Sequence, residues 1–220
     1  YGLVGSEMCI RDSRYGELRT SVKQKQTVDY GTHEGENMAS LQGEKVCISR
    51  LNEENRQDYL TAYKAASNFH DLYEKNSDLW AYMCREIGTT EDSSERYLIR
   101  EVETNLPCGY IDIDVDLNRP AIDIAIAPPS RNKGYGYEAA RLLCRAFFER
   151  NPAEALIWNA FPKNIYSRRI AEKLGGQQID VRDVFTETVR KAYSLSEGGM
   201  AKLPNVIVYE IRKAPFEKST

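Results

Sequence analysis

The chain has only two histidines, His33 and His70, and five cysteines in 220 residues. The cysteines stand at 9, 47, 84, 108 and 144, odd in number and never at zinc-ligand spacing, so no metal site is expected. No apolar run approaches the length of a membrane span. No G-x-x-x-x-G-K-[ST] run occurs, which removes the usual P-loop route to phosphoryl transfer. Neither sign of charge dominates: 30 Lys and Arg against 33 Asp and Glu leave a formal net charge of −3. That balance argues against a nucleic-acid binder relying on bulk charge. No secretory pattern is visible, and scattered cysteines suit a reducing compartment, so a cytoplasmic chain is expected. What is present, 41% hydrophobic residues, fits one globular domain with tails.

The stretch from Gly2 to Ser13 resembles translated sequencing-adapter sequence, and the residues that follow to Gly43 are polar and aperiodic. Residues 1–43 are therefore expected to lie outside the domain, as an artefact or a disordered segment, with Met38 the natural start. A domain is expected over 44–213, followed by a tail over 214–220. Lys45–Arg50 reads as a strand. Asn52 is placed to cap a helix carrying Leu60, Tyr63, Ala66 and Phe69 at helical spacing. A second helix is predicted over Ser77–Ile87. Strands follow at Tyr97–Val102, Gly109–Asp116 and Ala121–Ala127, with a turn at Leu117–Pro120. A helix over Tyr137–Arg150 and a buried strand at Ala155–Ala160 come next. Asn164 can cap a further helix, which Gly175-Gly176 stops. Gln178–Phe185 and Asn205–Arg212 read as closing strands, with a polar insert at Thr186–Pro204. The sum is an α+β domain whose central strand, turn, helix and strand form a crossover.

The turn in that crossover, Arg131-Asn132-Lys133-Gly134-Tyr135-Gly136, is the most informative stretch. Glycines let a backbone approach a ligand and take positive φ. The free N–H groups and positive dipole end of the following helix suit a pyrophosphate. Arg131 and Lys133 add charge at the rim. A nucleotide-type cofactor held through its phosphates is the expectation.

Taken in order, the strand, Arg131-x-x-Gly-x-Gly136, the helix, Asn164-x-x-Ser167 and Glu172-Lys-Leu-Gly175 resemble the GNAT N-acetyltransferases over about residues 45–213. The resemblance implies a mostly antiparallel sheet of about six to seven strands with helices on both faces. It implies acetyl-CoA as donor and a primary amine, on a small molecule or peptide, as acceptor. Nucleic acid and membrane are not expected partners, and a homodimer through the last strands is a family-level expectation. It assigns the pyrophosphate to the amides of Arg131, Asn132, Lys133, Gly134, Tyr135 and Gly136. It assigns the pantetheine arm to the backbone of Ile124, Ala125 and Ile126, with Asn164 bonding the cofactor. Charge on the thioester oxygen falls to a backbone N–H in the 124–126 region.

Amine attack needs a base to remove a proton from the ammonium. Asp123 is the candidate. With the turn at 117–120, Asp114 is expected opposite it, and like charges across a ladder raise one pKa. Asp112 is the alternative. The competing reading is a solvated acidic face balanced by Arg100. For the thiol side, many family members carry a Tyr where Ala171 stands here. Ser167 matches the serine that some ribosomal-protein N-terminal acetyltransferases place near the sulfur; the alternative for it is packing or back-bonding on its helix. Arg168 and Arg169 can reach the cofactor's 3′-phosphate or form a solvated face. Trp158 reads as a buried strand residue. The three acids at 112, 114 and 123 favour a cationic acceptor.

Two other functions fit less well. Gly134-x-Gly136-x-x-Ala139 matches a dinucleotide fingerprint, but Pro128–Lys133 separate it from its strand, and strand 155–160 ends without the ribose-binding acid. A non-catalytic acyl-CoA-binding module remains open, because fold alone does not determine function.

Overall fold

Apolar alternation along the chain yields strands wherever β-branched residues dominate, and helices wherever alanine, leucine and charged residues recur at three- and four-residue spacing. The computed structural model describes residues 40–67, 70–89, 94–116, 119–152, 154–183 and 205–220. The residues before 40, Phe69 and the Thr186–Pro204 insert lie outside the described residues.

The elements in order are β1 (Ser40–Gln42), β2 (Val46–Arg50), α1 (Arg56–Ala66), α2 (His70–Lys75), α3 (Ser77–Glu86), β3 (Glu95–Glu101), β4 (Pro107–Asp116) and β5 (Arg119–Ile126). Then come α4 (Tyr135–Arg150), β6 (Ala155–Ala160), α5 (Ile165–Lys173), β7 (Gln177–Asp183), β8 (Asn205–Arg212) and α6 (Lys213–Ser219). The strands form one eight-stranded sheet in the order β1-β2-β3-β4-β5-β6-β8-β7, slightly larger than expected. The addition includes β1, which pairs with β2 and carries Leu41 against the core. Ordered structure thus begins before residue 44. At the other end, the residues expected as a tail form α6, whose Phe216 is buried 5.6 Å from the Phe148 ring.

Two cores sandwich the sheet. Ile122 and Ile124 point to one face, against Ala140, Leu143, Cys144 and Phe147 of α4. Leu98 and Tyr110 point to the other, against Tyr59, Leu60 and Tyr63 of α1. Among the described residues no helix is long and apolar enough to cross a membrane.

Three local expectations are corrected. The cap of α1 is Asn55, not Asn52; the two side chains instead each accept the other's backbone N–H, at 2.9 and 3.0 Å. The helix α4 starts at Tyr135, two residues early, because Gly134 takes φ +88° and turns the chain directly into the helix. The β4–β5 ladder pairs Asp116 with Arg119, so its loop is two residues long rather than four. That register places Asp112, not Asp114, opposite Asp123; Asp114 faces Ala121. Composition suggested a longer turn because it includes Pro120. That proline sits within β5, where its missing N–H is directed away from β4.

The single parallel junction, β5 with β6, has only two residue pairs: Ala121 with Ile157 and Ile122 with Trp158. All other neighbouring strands are antiparallel. Beyond Ile122 and Trp158 the two strands part.

Candidate active site

The parting of β5 and β6 opens a cavity of about 440 Å³, bordered by Ile124 and Ile126 on one side and Trp158, Asn164 and Ser167 on the other. The glycine turn closes its end. Asn132 takes φ +63° and Gly134 φ +88°, a bend that turns successive N–H groups toward one concave side. The first helical bond of α4 runs from Glu138 N to Gly134 O at 3.1 Å. The N–H groups of residues 134–137 therefore have no partner one turn back, as at any helix start. Gly136 lines the cavity, and the nearest atoms a methyl group there would meet are side-chain carbons of Ile126 and Ile170 at 3.5 Å and Ile124 at 3.9 Å, ordinary contacts. The protein's own packing leaves room at this position.

The expected rim charges are partly used within the protein. Arg131 donates its amide to Pro128 O at 3.3 Å and its Nε to Ile126 O at 2.9 Å. Lys133 pairs with Glu101 at 3.4 Å. Glu101 also accepts hydrogen bonds from Thr104 and Tyr135, and these hold its carboxyl below the usual carboxylate range. The same bond, with Glu101's charge, pushes the Tyr135 hydroxyl up to about 12. A cation that sequence did not reveal, Lys45 from the β1–β2 turn, donates to Lys133 O at 3.3 Å. The buried Glu138 carboxylate holds that turn in place, accepting the amides of Glu44 and Lys45 at 2.6 and 3.0 Å.

The backbone of β5 divides by parity. Ala127 N donates to Cys108 O at 2.9 Å, and a methyl added at Gly109 would fall 2.3 Å from Ala125 O. Alternation in an antiparallel ladder then turns the backbone groups of Ala125 toward β4. Ile124 and Ile126 present theirs toward the gap. All three residues expected along the pantetheine arm border the cavity.

Across the gap, Asn164 caps α5 by accepting the Ser167 amide at 3.1 Å, which leaves its amide nitrogen for other use. Ser167 Oγ accepts a hydrogen bond from Trp158 Nε1 at 2.9 Å. Arg168 turns away, to Tyr209 Oη at 3.1 Å and Pro162 O at 3.3 Å, whereas Arg169 and Lys173 border the cavity.

Asp123 is 5% exposed and is the first residue of β5 past its last pair with β6. It faces the α1 side of the sheet, where Tyr110 Oη lies 3.5 Å from its Oδ2. Its cross-strand neighbour Asp112 is tied elsewhere: to Arg96 at 2.7 Å and to Tyr59 Oη at 2.6 Å. Asp114 accepts from Ser94 at 3.0 Å. Arg96 rather than Arg100 balances the acids; Arg100 pairs with Asp58. Among the described residues no group of three acidic, His or Cys side chains could hold a metal ion.

Comparison with known proteins bears on the fold and the family. The family model for the acetyltransferase (GNAT) domain matches residues 45–177. No curated protein matches the sequence. A GNAT-family acetyltransferase from Bacillus anthracis superimposes with TM-score 0.56 at 17% identity, covering 79% of this chain and 98% of that one. An acetyltransferase from Agrobacterium tumefaciens gives 0.54 at 16% identity, over 89% and 99%. RimL, a ribosomal L7/L12 alpha-N-protein acetyltransferase, gives 0.56 at 9% identity, over 79% and 94%. With the family model covering more than half of its length, the chain belongs to the GNAT acetyltransferase family.

Proposed function

We propose that the chain is an N-acetyltransferase that moves the acetyl group of acetyl-CoA to a primary amine by direct attack in a ternary complex. The observation that carries this reading is the β5–β6 gap, closed at one end by the glycine turn and bordered by Ser167, with Asp123 the next residue of β5 after the last β5–β6 pair. Acetyl-CoA supplies an activated thioester and a pyrophosphate. The amides of 134–137, with those of Asn132 and Lys133, hold the pyrophosphate, and Arg131 and Lys45 contribute charge. The backbone of Ile124 and the N–H of Ile126 face the amide-bearing arm, Ile126 O being taken by Arg131 Nε at 2.9 Å, and Asn164 offers its side-chain amide.

Asp123 takes the proton from the attacking amine, directly or through water. It is the acid best placed for this, because Arg96 and Tyr59 already occupy Asp112. Ser167 serves the sulfur side. Direct attack is favoured over a cysteine acyl-enzyme. Among the described residues no cysteine borders the cavity, and burial pushes the Cys108 thiol up to about 12 and Cys144 higher still. A small-molecule or peptide amine that is cationic before attack suits the carboxylate of Asp123.

A second reading, an acyl-CoA-binding module without turnover, is favoured by buried Ala171, which stands where the family resemblance implies a tyrosine. Calorimetry with acetyl-CoA on the full chain, followed by thiol release over a panel of polyamines, aminoglycosides and N-terminal peptides, separates the two. Binding with thiol release supports the enzyme. Binding with none supports the module, and no binding by folded protein removes both. In the enzyme, Asp123→Asn is expected to lower kcat by about 10²–10⁴-fold with little change in acetyl-CoA affinity. Wild-type turnover would eliminate Asp123 as the base.

A further inference from the structure

Trp158 is 1% exposed and forms, with Ile122, the last pair before β5 and β6 part. Ser167 is 6% exposed and stands in the first turn of α5. Both border the cavity, and the indole Nε1 lies 2.9 Å from Ser167 Oγ. An indole N–H can only donate. The direction of this bond is therefore fixed by chemistry, and Ser167 Oγ is the acceptor. The serine keeps one O–H to give.

That O–H has few places to go. In a helix first turn the usual targets are the carbonyls three or four residues back. Among the described residues Ser167 Oγ makes no such bond; its side-chain hydrogen bond is the one it accepts from Trp158. Ser167 borders the cavity, where its O–H can meet a ligand. A hydroxyl that accepts one hydrogen bond also donates a stronger one, because the bonds polarise each other.

We infer that Trp158 is a positioning residue whose indole N–H fixes the Ser167 hydroxyl as a hydrogen-bond donor to the thioester sulfur; this rests on the acetyltransferase reading above. In the reaction the amine lone pair forms the C–N bond and the C–S bond breaks, its electron pair going to sulfur. The amine proton leaves to Asp123 and then to solvent. A serine hydroxyl is a far weaker acid than a thiol, so Ser167 does not give up its proton. It stabilises the departing thiolate by hydrogen bonding, and solvent supplies the proton that ends on sulfur. Without the indole bond the hydroxyl can rotate or reverse its role, and part of that stabilisation is lost.

The test uses the full chain, which has two tryptophans, Trp80 and Trp158. Two indole N–H signals are thus expected in a ¹⁵N-resolved NMR spectrum. Ser167→Ala should shift the Trp158 signal and speed its exchange, and acetyl-CoA should shift it in wild type, with Trp80 as the reference in both. A Trp158 signal that ignores Ser167→Ala overturns the proposal, and this measurement needs neither an acceptor nor a folded tryptophan variant. Kinetics with an amine found active in the panel supply a second arm. Trp158→Phe should lower kcat by about tenfold, the worth of one hydrogen bond, with acetyl-CoA KM unchanged. The double variant should be no slower than Ser167→Ala alone. Multiplying effects overturn the coupling. Slow Ser167→Ala with normal Trp158→Phe rejects only the role of Trp158. Normal Ser167→Ala rejects the role of Ser167 on the sulfur side, from which the inference starts.

Discussion

At the residue scale, Gly136 separates what the fold requires from what a ligand requires. Gly134 and Gly136 look equivalent in the sequence, yet they differ in kind. Gly134 adopts φ +88°, a conformation that costs other residues energy, so it builds the turn. Gly136 has no positive φ and no clash; a methyl there makes ordinary contacts and projects into the cavity. Gly136→Ala should therefore keep or raise stability, by up to about 1 kcal/mol, as alanine is the better helix former. It should weaken acetyl-CoA binding, since overfilling a packed contact costs about 1–3 kcal/mol. Melting temperature and calorimetric affinity moving in opposite directions is the expected outcome; unchanged affinity would place the ligand elsewhere. Residue types at such positions were legible in the sequence because the glycine spacing carries a physical meaning. The engagement of Arg131 with Ile126 O, of Lys133 with Glu101 and of Trp158 with Ser167 was not. Each depends on a side chain meeting a partner set by tertiary packing, for which local sequence holds no signal.

At the scale of elements, most strands and helices were legible, since those have a clear period; β1, α2 and α6 were not read from the sequence. Boundaries and register were less so. The Asp112–Asp123 pairing depended on whether Pro120 belonged to the turn or the strand, and a shift of two residues exchanges the partner while keeping the face. The β1–β2 hairpin shows a further limit. Ser40–Gln42 is too short and polar to read as a strand, and it is held by Glu138, nearly a hundred residues away. Glu138 lies in the first turn of α4, where a carboxylate suits the helix dipole, and its two oxygens join the hairpin turn to the glycine turn. Glu138→Ala should cost about 1.5–3 kcal/mol, the range for hydrogen bonds to a charged group. Hydrogen exchange at the Glu44 and Lys45 amides should speed up, and Lys45 should leave Lys133 O. Unchanged exchange at those two amides would show that the hairpin is held by other contacts.

At the scale of the whole molecule, the sheet is two antiparallel blocks joined by one narrow parallel junction. The ladder from β1 to β5 is continuous, as is the ladder of β6, β8 and β7, but between them only Ala121–Ile157 and Ile122–Trp158 pair. The side chains of Ile124 and Ile126 border the space where the two blocks part. A ligand lying in the gap touches β5, the start of α4, β6 and the start of α5 together, and so ties the two blocks to each other. Binding to the native state alone then stabilises the whole molecule. At one hundred times its dissociation constant, acetyl-CoA should add about 2.7 kcal/mol. For a domain of this size that corresponds to a rise in melting temperature of about 5–10 °C. Hydrogen exchange should slow on both sides of the gap, at 124–126 and 134–137 in one block and at 158–167 in the other. Protection limited to the start of α4 would mean that phosphate binds the turn while the gap stays unused, and the ternary-complex mechanism would lose its structural basis.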